Sequence, residues 1–155
     1  MKTINPDWIR EIQKNVNSCP YFSLLSLTIE DISWGSARLE VDLEHKHIQP
    51  WGVVHGGVFA GLADAAAFWA VFSQVEPDVG LVTVEMKINF LAPAKNGRLV
   101  GRGRSLKVGR SLGLAETRVE DQDGLLVAHG VATMMKVPSW EMESQGELPP
   151  KYLAD

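Results

Sequence analysis

Between Val58 and Val75 the chain carries apolar side chains on every side of a helical projection (Val58, Phe59, Leu62, Ala66, Phe68, Trp69, Val71, Phe72), with Asp64 as its only charge. A helix that is apolar all round is a buried one. On either side of it the period changes to two. Upstream, Leu24, Leu27, Ile29 and Ile32 precede a run in which Ala37, Leu39, Val41 and Leu43 alternate with Arg38, Glu40 and Asp42, which predicts two consecutive strands with a turn near Trp34-Gly35. Downstream come four alternating runs, Leu81–Leu91, Arg98–Val108, Leu112–Asp121 and Leu125–Val137, with turns at Asn96-Gly97, Gly109 and Asp123-Gly124. A short helix, two strands, one long buried helix and four strands predict an α+β fold, an antiparallel sheet wrapped around a long central helix.

The flanks are simpler. Pro6–Asn17 reads as an amphipathic helix with Asn5 as N-cap, Pro6 in its first turn and Trp8, Ile9, Ile12 and Val16 at helical spacing, a lid or flank on the main body. His45–Val54, with Pro50 and Gly52, breaks every period and is expected to be a loop delivering the chain to His55-Gly56-Gly57. Residues 138–155 hold four acids and three prolines with no period, and are expected to be loosely attached. The chain therefore divides into a lead-in (1–19), one domain (20–137) and a tail (138–155).

Its 155 residues suit one domain, and 45% hydrophobic against 22% charged residues is a globular balance. A single cysteine, Cys19, excludes internal disulfides, and a charged N-terminal stretch without an apolar run predicts a cytoplasmic protein. Although the net charge is −4, seven basic residues and no acid lie between Lys87 and Arg110.

Asp64 demands explanation, because a carboxylate among apolar residues is costly unless it is paired or functional. One explanation is structural, a hydrogen bond from a neighbouring hydroxyl or backbone group. The other is catalytic. Gly56 and Gly57 open the helix, where free N–H groups and the positive end of the dipole can polarise a carbonyl and hold its oxyanion. Gly56 and Asp64 are eight residues apart, roughly 12 Å at ~1.5 Å per residue, too far to act on one carbonyl within one chain. If both serve one site, two antiparallel helices of a two-fold dimer must share it.

The segment Gln49-Pro50-Trp51-Gly52-Val53-Val54-His55-Gly56-Gly57, followed by Leu62-Ala63-Asp64, resembles the signature of hotdog-fold thioesterases, of the phenylacetate-degradation and 4-hydroxybenzoyl-CoA types. The likeness continues through Thr83–Ala94 and Lys107-Val108-Gly109-Arg110-Ser111 and spans about residues 20–137. It implies hydrolysis of an acyl-CoA thioester by a homodimer or dimer of dimers, with coenzyme A as part of the substrate and with neither metal nor other cofactor. By position, Asp64 is the nucleophile or general base, the Gly56 N–H polarises the carbonyl, His55 holds the helix entrance, Gln49 positions substrate or water, and Thr83 assists the carboxylate. Gly57 and Phe68 are expected beside the acyl group. Phe68 stands where some relatives have a hydroxyl, which makes the pocket more apolar. Lys107, Gly109, Arg110 and Ser111 are expected at the nucleotide end of coenzyme A.

Other readings compete less well. Gly109-Arg110-Ser111-Leu112-Gly113 matches a serine-hydrolase pattern, with Asp121 and His129 following, but Ser111 enters a strand where that motif needs a strand-to-helix turn. His45 and His47 have no partners at ligand spacing and read as exposed loop residues. Nucleic acid is disfavoured by the acidic whole, and a membrane span by the lack of basic anchors around the apolar run. Two alternatives on the same fold stay open: a non-catalytic acyl-CoA-binding module, and an acyl thioester hydratase or dehydratase.

Overall fold

In the computed structural model, which describes residues 2–138 and 148–153, the chain runs through helices α1 (Pro6–Asn17) and α2 (Pro20–Leu25), then strands β1 (Leu27–Ser33) and β2 (Ser36–Asp42). A single 3₁₀ turn (His45–His47) and helix α3 (Gly56–Phe72) follow, and strands β3 (Val79–Phe90), β4 (Arg98–Val108), β5 (Leu112–Asp121) and β6 (Leu126–Pro138) complete the fold. All six strands form one antiparallel sheet in the order β1-β2-β4-β5-β6-β3, and α3 packs on its inner face. This is the antiparallel sheet around a central helix that the pattern predicts, and the hotdog fold that the resemblance implies. Asn5 caps α1 as predicted, its side chain accepting from the Asp7 N–H.

Helix α2 was not expected. Leu24 reads as the head of a strand, yet Pro20 occupies the first turn of a short helix that ends at Ser26, in the left-handed region at φ 52°. Proline pre-sets the first helical turn, so Cys19-Pro20 was the available signal.

What lets α3 sink into the sheet is the absence of side chains at the contact. A Cβ on Gly103 would lie 2.0 Å from the Ala66 carbonyl oxygen, and one on Gly113 would lie 2.4 Å from Val71 Cγ1. Opposite these glycines the helix presents Ala63, Ala66, Ala67 and Ala70, each fully buried. Larger residues then close the core around this seam: Leu62, Val71, Leu39, Leu99, Val119 and Met134, all with no exposed surface.

The C-terminal end of α3 is held by a segment expected to be loose. Lys151 is buried, and its ammonium donates to the carbonyls of Phe72 (2.5 Å) and Val75 (2.8 Å) while lying 4.1 Å from the Phe72 ring centroid. Tyr152 Oη donates to Ser73 O (3.1 Å) and Val75 O (2.6 Å). Backbone bonds from Asn5 N to Lys151 O and from Leu153 N to Thr3 O tie the segment to the N-terminus. Residues 148–153 therefore correct the expectation of a loose tail, because the last carbonyls of a helix need donors and a cation suits that end of the dipole. The rest of the predicted tail, 139–147 and 154–155, lies outside the described residues.

Burial pushes the Lys151 amine down from 10.5 to about 7, against the pull of Glu76 and with a smaller push from Lys2. The unfolded chain keeps that proton up to its ordinary value, so between about 7 and 10.5 the unfolded state binds more protons and stability rises with pH. The melting temperature of the wild type is expected to climb between pH 7 and 9. In Lys151→Met, which keeps an apolar stem and removes the amine, this part of the climb should vanish.

Candidate active site

The approach to α3 is locked before the helix begins. His47 Nδ1 accepts from the Glu44 N–H (2.9 Å), the His47 carbonyl accepts from His55 N (2.9 Å), and Val54 N donates to Ala94 O (2.8 Å). Gln49–Gly52 forms a tight turn within this segment, closed by Gly52 N to Gln49 O and Gln49 N to Val53 O. His47 is thus not the exposed loop residue expected: it is 2% exposed, and burial lowers its affinity for a second proton. His45 does lie exposed.

His55 is the N-cap of α3. Its Nδ1 accepts from the Gly57 N–H at 2.9 Å and its carbonyl accepts from Val58 N at 3.0 Å. That leaves the Gly56 N–H as the donor of this turn with no acceptor among the described residues. Gly56 is thus the residue of this turn whose N–H is open to an acceptor. Glycine at 56 also makes room for an aromatic neighbour, since a Cβ there would stand 3.3 Å from the Phe90 ring.

Two turns further along, Asp64 is half-buried, and its Oδ1 accepts from Thr83 Oγ1 at 2.8 Å. Thr83 sits at a bulge in β3, where the register with β6 shifts between Thr83 and Glu85. Bulges re-aim side chains beside functional sites. The hydroxyl bond anticipated as the structural explanation for Asp64 is therefore present, and it occupies one carboxylate oxygen, leaving Oδ2 without a hydrogen-bond partner among the described residues.

Around the helix, Phe59 and Phe90 face each other at 6.2 Å between ring centroids on the β3 side. On the α2 side, Tyr21 Oη and Leu25 lie over Gly61, where a Cβ would meet them at 2.8 and 3.0 Å. Positions 57, 61, 64 and 68 recur at helical spacing and share one face. Phe68, one turn after Asp64, is partly buried and stacks on Phe72 with centroids 5.3 Å apart, so it is anchored in an aromatic cluster as well as bordering Asp64. Gln49 is half-buried and 15 residues before Asp64, and it lines the same cavity as His55 and Gly57.

In the basic run, Lys87 and Lys95 have no acidic partner among the described residues, and the other five residues divide into two groups. Arg98 pairs with Asp42 (2.7 Å) and Glu40 (2.8 Å), Arg102 with Glu120 (3.4 Å), and Arg104 with Glu116 (2.8 Å). Lys107 and Arg110 have no acidic partner among the described residues. They border a cavity of about 830 Å³ together with Gly109, Trp34 and Lys136, at the end of the sheet near the C-terminus of α3. Ser111 is exposed in the β4–β5 turn and lines a neighbouring recess with Lys107 and Arg110. The apparent serine-hydrolase set is dispersed: His129 bonds Glu116 at 3.0 Å, and Asp121 accepts from the backbone of Asp123 and Leu125.

Known proteins resemble this arrangement. The thioesterase superfamily model matches residues 52–128. A putative esterase from Halobacterium salinarum is 34% identical over 113 residues, covering 70% of this chain and 74% of its own. Acyl-coenzyme A thioesterase 13 of Mus musculus is 29% identical over 126 residues, 79% of this chain and 89% of that one. Among solved structures, a thioesterase from Haemophilus influenzae superposes with a TM-score of 0.81 at 20% identity, covering 92% of this chain and 99% of that chain, which shows the fold. With its helix-opening glycines, its single helical carboxylate and its hotdog sheet, the chain belongs to the thioesterase superfamily and is a thioester hydrolase.

Proposed function

We propose that the protein hydrolyses acyl-CoA thioesters at sites shared between two subunits, each site combining Asp64 of one chain with the Gly56 N–H of the other. The observation that carries this is the division of labour along α3. One unused N–H stands at its start, one carboxylate with a free oxygen lies in its middle, and roughly 12 Å separates them at ~1.5 Å per residue. Two-fold symmetry resolves the spacing twice over. β3 supports the symmetry: it is a 12-residue edge strand with Val84 and Phe90, and Leu91 just beyond it, more than half exposed, and such an edge is a template for pairing with a second copy.

In the reaction, the thioester oxygen accepts from Gly56 N–H while Asp64 acts at the carbonyl carbon through Oδ2. As base, Asp64 takes a proton from water, whose oxygen bonds to carbon; the C–S bond then breaks and the thiolate leaves to be protonated. As nucleophile, Asp64 forms an acyl anhydride that water hydrolyses to the same products. Thr83 holds the carboxylate in either case. Gln49, beside the helix entrance, orients substrate or water, and Lys107 and Arg110 take the phosphates of coenzyme A, being the cations of the run that lack acidic partners among the described residues and border the cavity of about 830 Å³.

Thiol release from a panel of acyl-CoAs tests this reading. Asp64→Ala should lower turnover by about 10²–10⁴-fold with the fold intact. Gly56→Pro removes the N–H where proline is tolerated, after a His55 already extended at φ −68° and ψ 137°, and should cost about 10²–10³-fold. Acyl-CoA binding without turnover in the wild type would instead mark a binding module.

Lys107→Ala and Arg110→Ala should each raise KM about fivefold at unchanged kcat, the scale of one exposed charge contact. Arg98→Ala, whose charge is already shared by Asp42 and Glu40, should leave KM alone. Equal effects at all three positions would remove the assignment.

A further inference from the structure

A second cavity, of about 520 Å³, lies between α2 and the entrance of α3, within the size range of small-molecule sites. His55 and Gly57 border it, so it opens beside Gly56, the residue between them. Leu24, Leu25, Ile48, Pro50 and Val58 give it aliphatic walls, and Lys46, His47 and Gln49 complete the lining. No Phe, Tyr or Trp is among its lining residues.

Lys46 and His47 are each tied to the protein, while His47 Nε2 is buried without a hydrogen-bond partner among the described residues. Lys46 pairs with Glu44 (3.1 Å) and donates to Ser26 Oγ (2.8 Å). His47 is buried with Nδ1 engaged by the Glu44 N–H, and burial favours its neutral form. Nearby, the missing side chain at Gly61 lets Tyr21 and Leu25 of α2 settle on α3, and Leu25 forms one of the cavity's walls. At the surface, Leu24 is 65% exposed, and Trp51, one residue beyond Pro50, is 81% exposed, giving an apolar rim.

Building on the thioesterase reading above, we infer that this cavity receives the acyl tail and selects uncharged, linear aliphatic chains of medium length or longer. The tail enters the subunit that supplies Gly56, and coenzyme A extends over the subunit that supplies Asp64. A chain longer than the cavity continues along Leu24 and Trp51. A carboxylated tail finds no unpaired lysine or arginine there, and an aromatic one finds no Phe, Tyr or Trp ring inside the cavity to stack on.

Calorimetric binding of non-hydrolysable S-alkyl-CoA thioethers tests the inference without relying on turnover. Each methylene taken from water adds about fourfold in affinity, so S-decyl-CoA should bind the wild type at least about fiftyfold more tightly than S-ethyl-CoA, even with part of the chain left in water. Leu24→Trp, at an exposed position of the wall, should remove most of that gap while leaving S-ethyl-CoA binding unchanged, which also reports a folded protein. The same gap in both proteins, an equal loss for both ligands, or tighter binding of S-benzyl-CoA than of S-decyl-CoA would overturn it. Hydrolysis assayed on the same preparations separates the two ideas: chain-length-dependent binding with no turnover removes the thioesterase reading and leaves the pocket standing.

Discussion

The structure depends on a helix whose backbone is pressed onto a sheet. At Gly103 there is no room for even a methyl group beneath the Ala66 carbonyl, and Gly113 gives way in the same manner to Val71. Interiors pack to near-crystalline density, so the small residues on both sides of this contact fix both the depth and the direction of α3. With one side of the helix buried against the sheet, its flanks are covered by β3 and by α2, and one narrow face remains, on which Asp64 lies between Thr83 and the α2 side chains over Gly61.

The two ends of the same helix are treated in opposite ways, and the contrast defines the site. At the C-terminus every described device satisfies the backbone: Lys151 and Tyr152 donate to the carbonyls of Phe72, Ser73 and Val75. At the N-terminus His55 satisfies Gly57 and Val58 and leaves Gly56 alone. A helix can leave a polar backbone group unpaired at modest cost where water or a ligand reaches it. One end is therefore a structural anchor and the other keeps one N–H open to an acceptor, although both are termini of one element.

Much of this was legible in the sequence. The alternating runs of β4 and β5 were placed at Arg98–Val108 and Leu112–Asp121, as they are found, because each is bounded by turn glycines and alternates cleanly. Asp64 stood out because a lone charge in an apolar helix has few explanations, and Gly56 because glycines at a helix start expose the backbone. Three features were not legible. Helix α2 is only six residues long, too short to show a period, and only Pro20 hinted at it. Lys151 looked like a solvated tail charge, since nothing local reveals that it donates to the carbonyls of Phe72, at the end of α3, and Val75, just beyond it, 79 and 76 positions earlier. The basic run looked uniform because its acidic partners, Asp42, Glu116 and Glu120, lie on neighbouring strands outside it; only cross-strand register separates the paired Arg98, Arg102 and Arg104 from Lys107 and Arg110.

The central claim is that one active site draws on two chains, and subunit complementation addresses it directly. Asp64→Ala and Gly56→Pro homodimers, each nearly inactive, would be mixed, dissociated and reassociated, and thiol release measured against the unmixed parents. In a mixed dimer one site regains both Asp64 and the Gly56 N–H and the other has neither, so random reassortment should restore about a quarter of wild-type activity. Activity that stays at the level of the parents, in samples where mixed dimers have formed, would mean that each site is built within a single chain and would contradict the account.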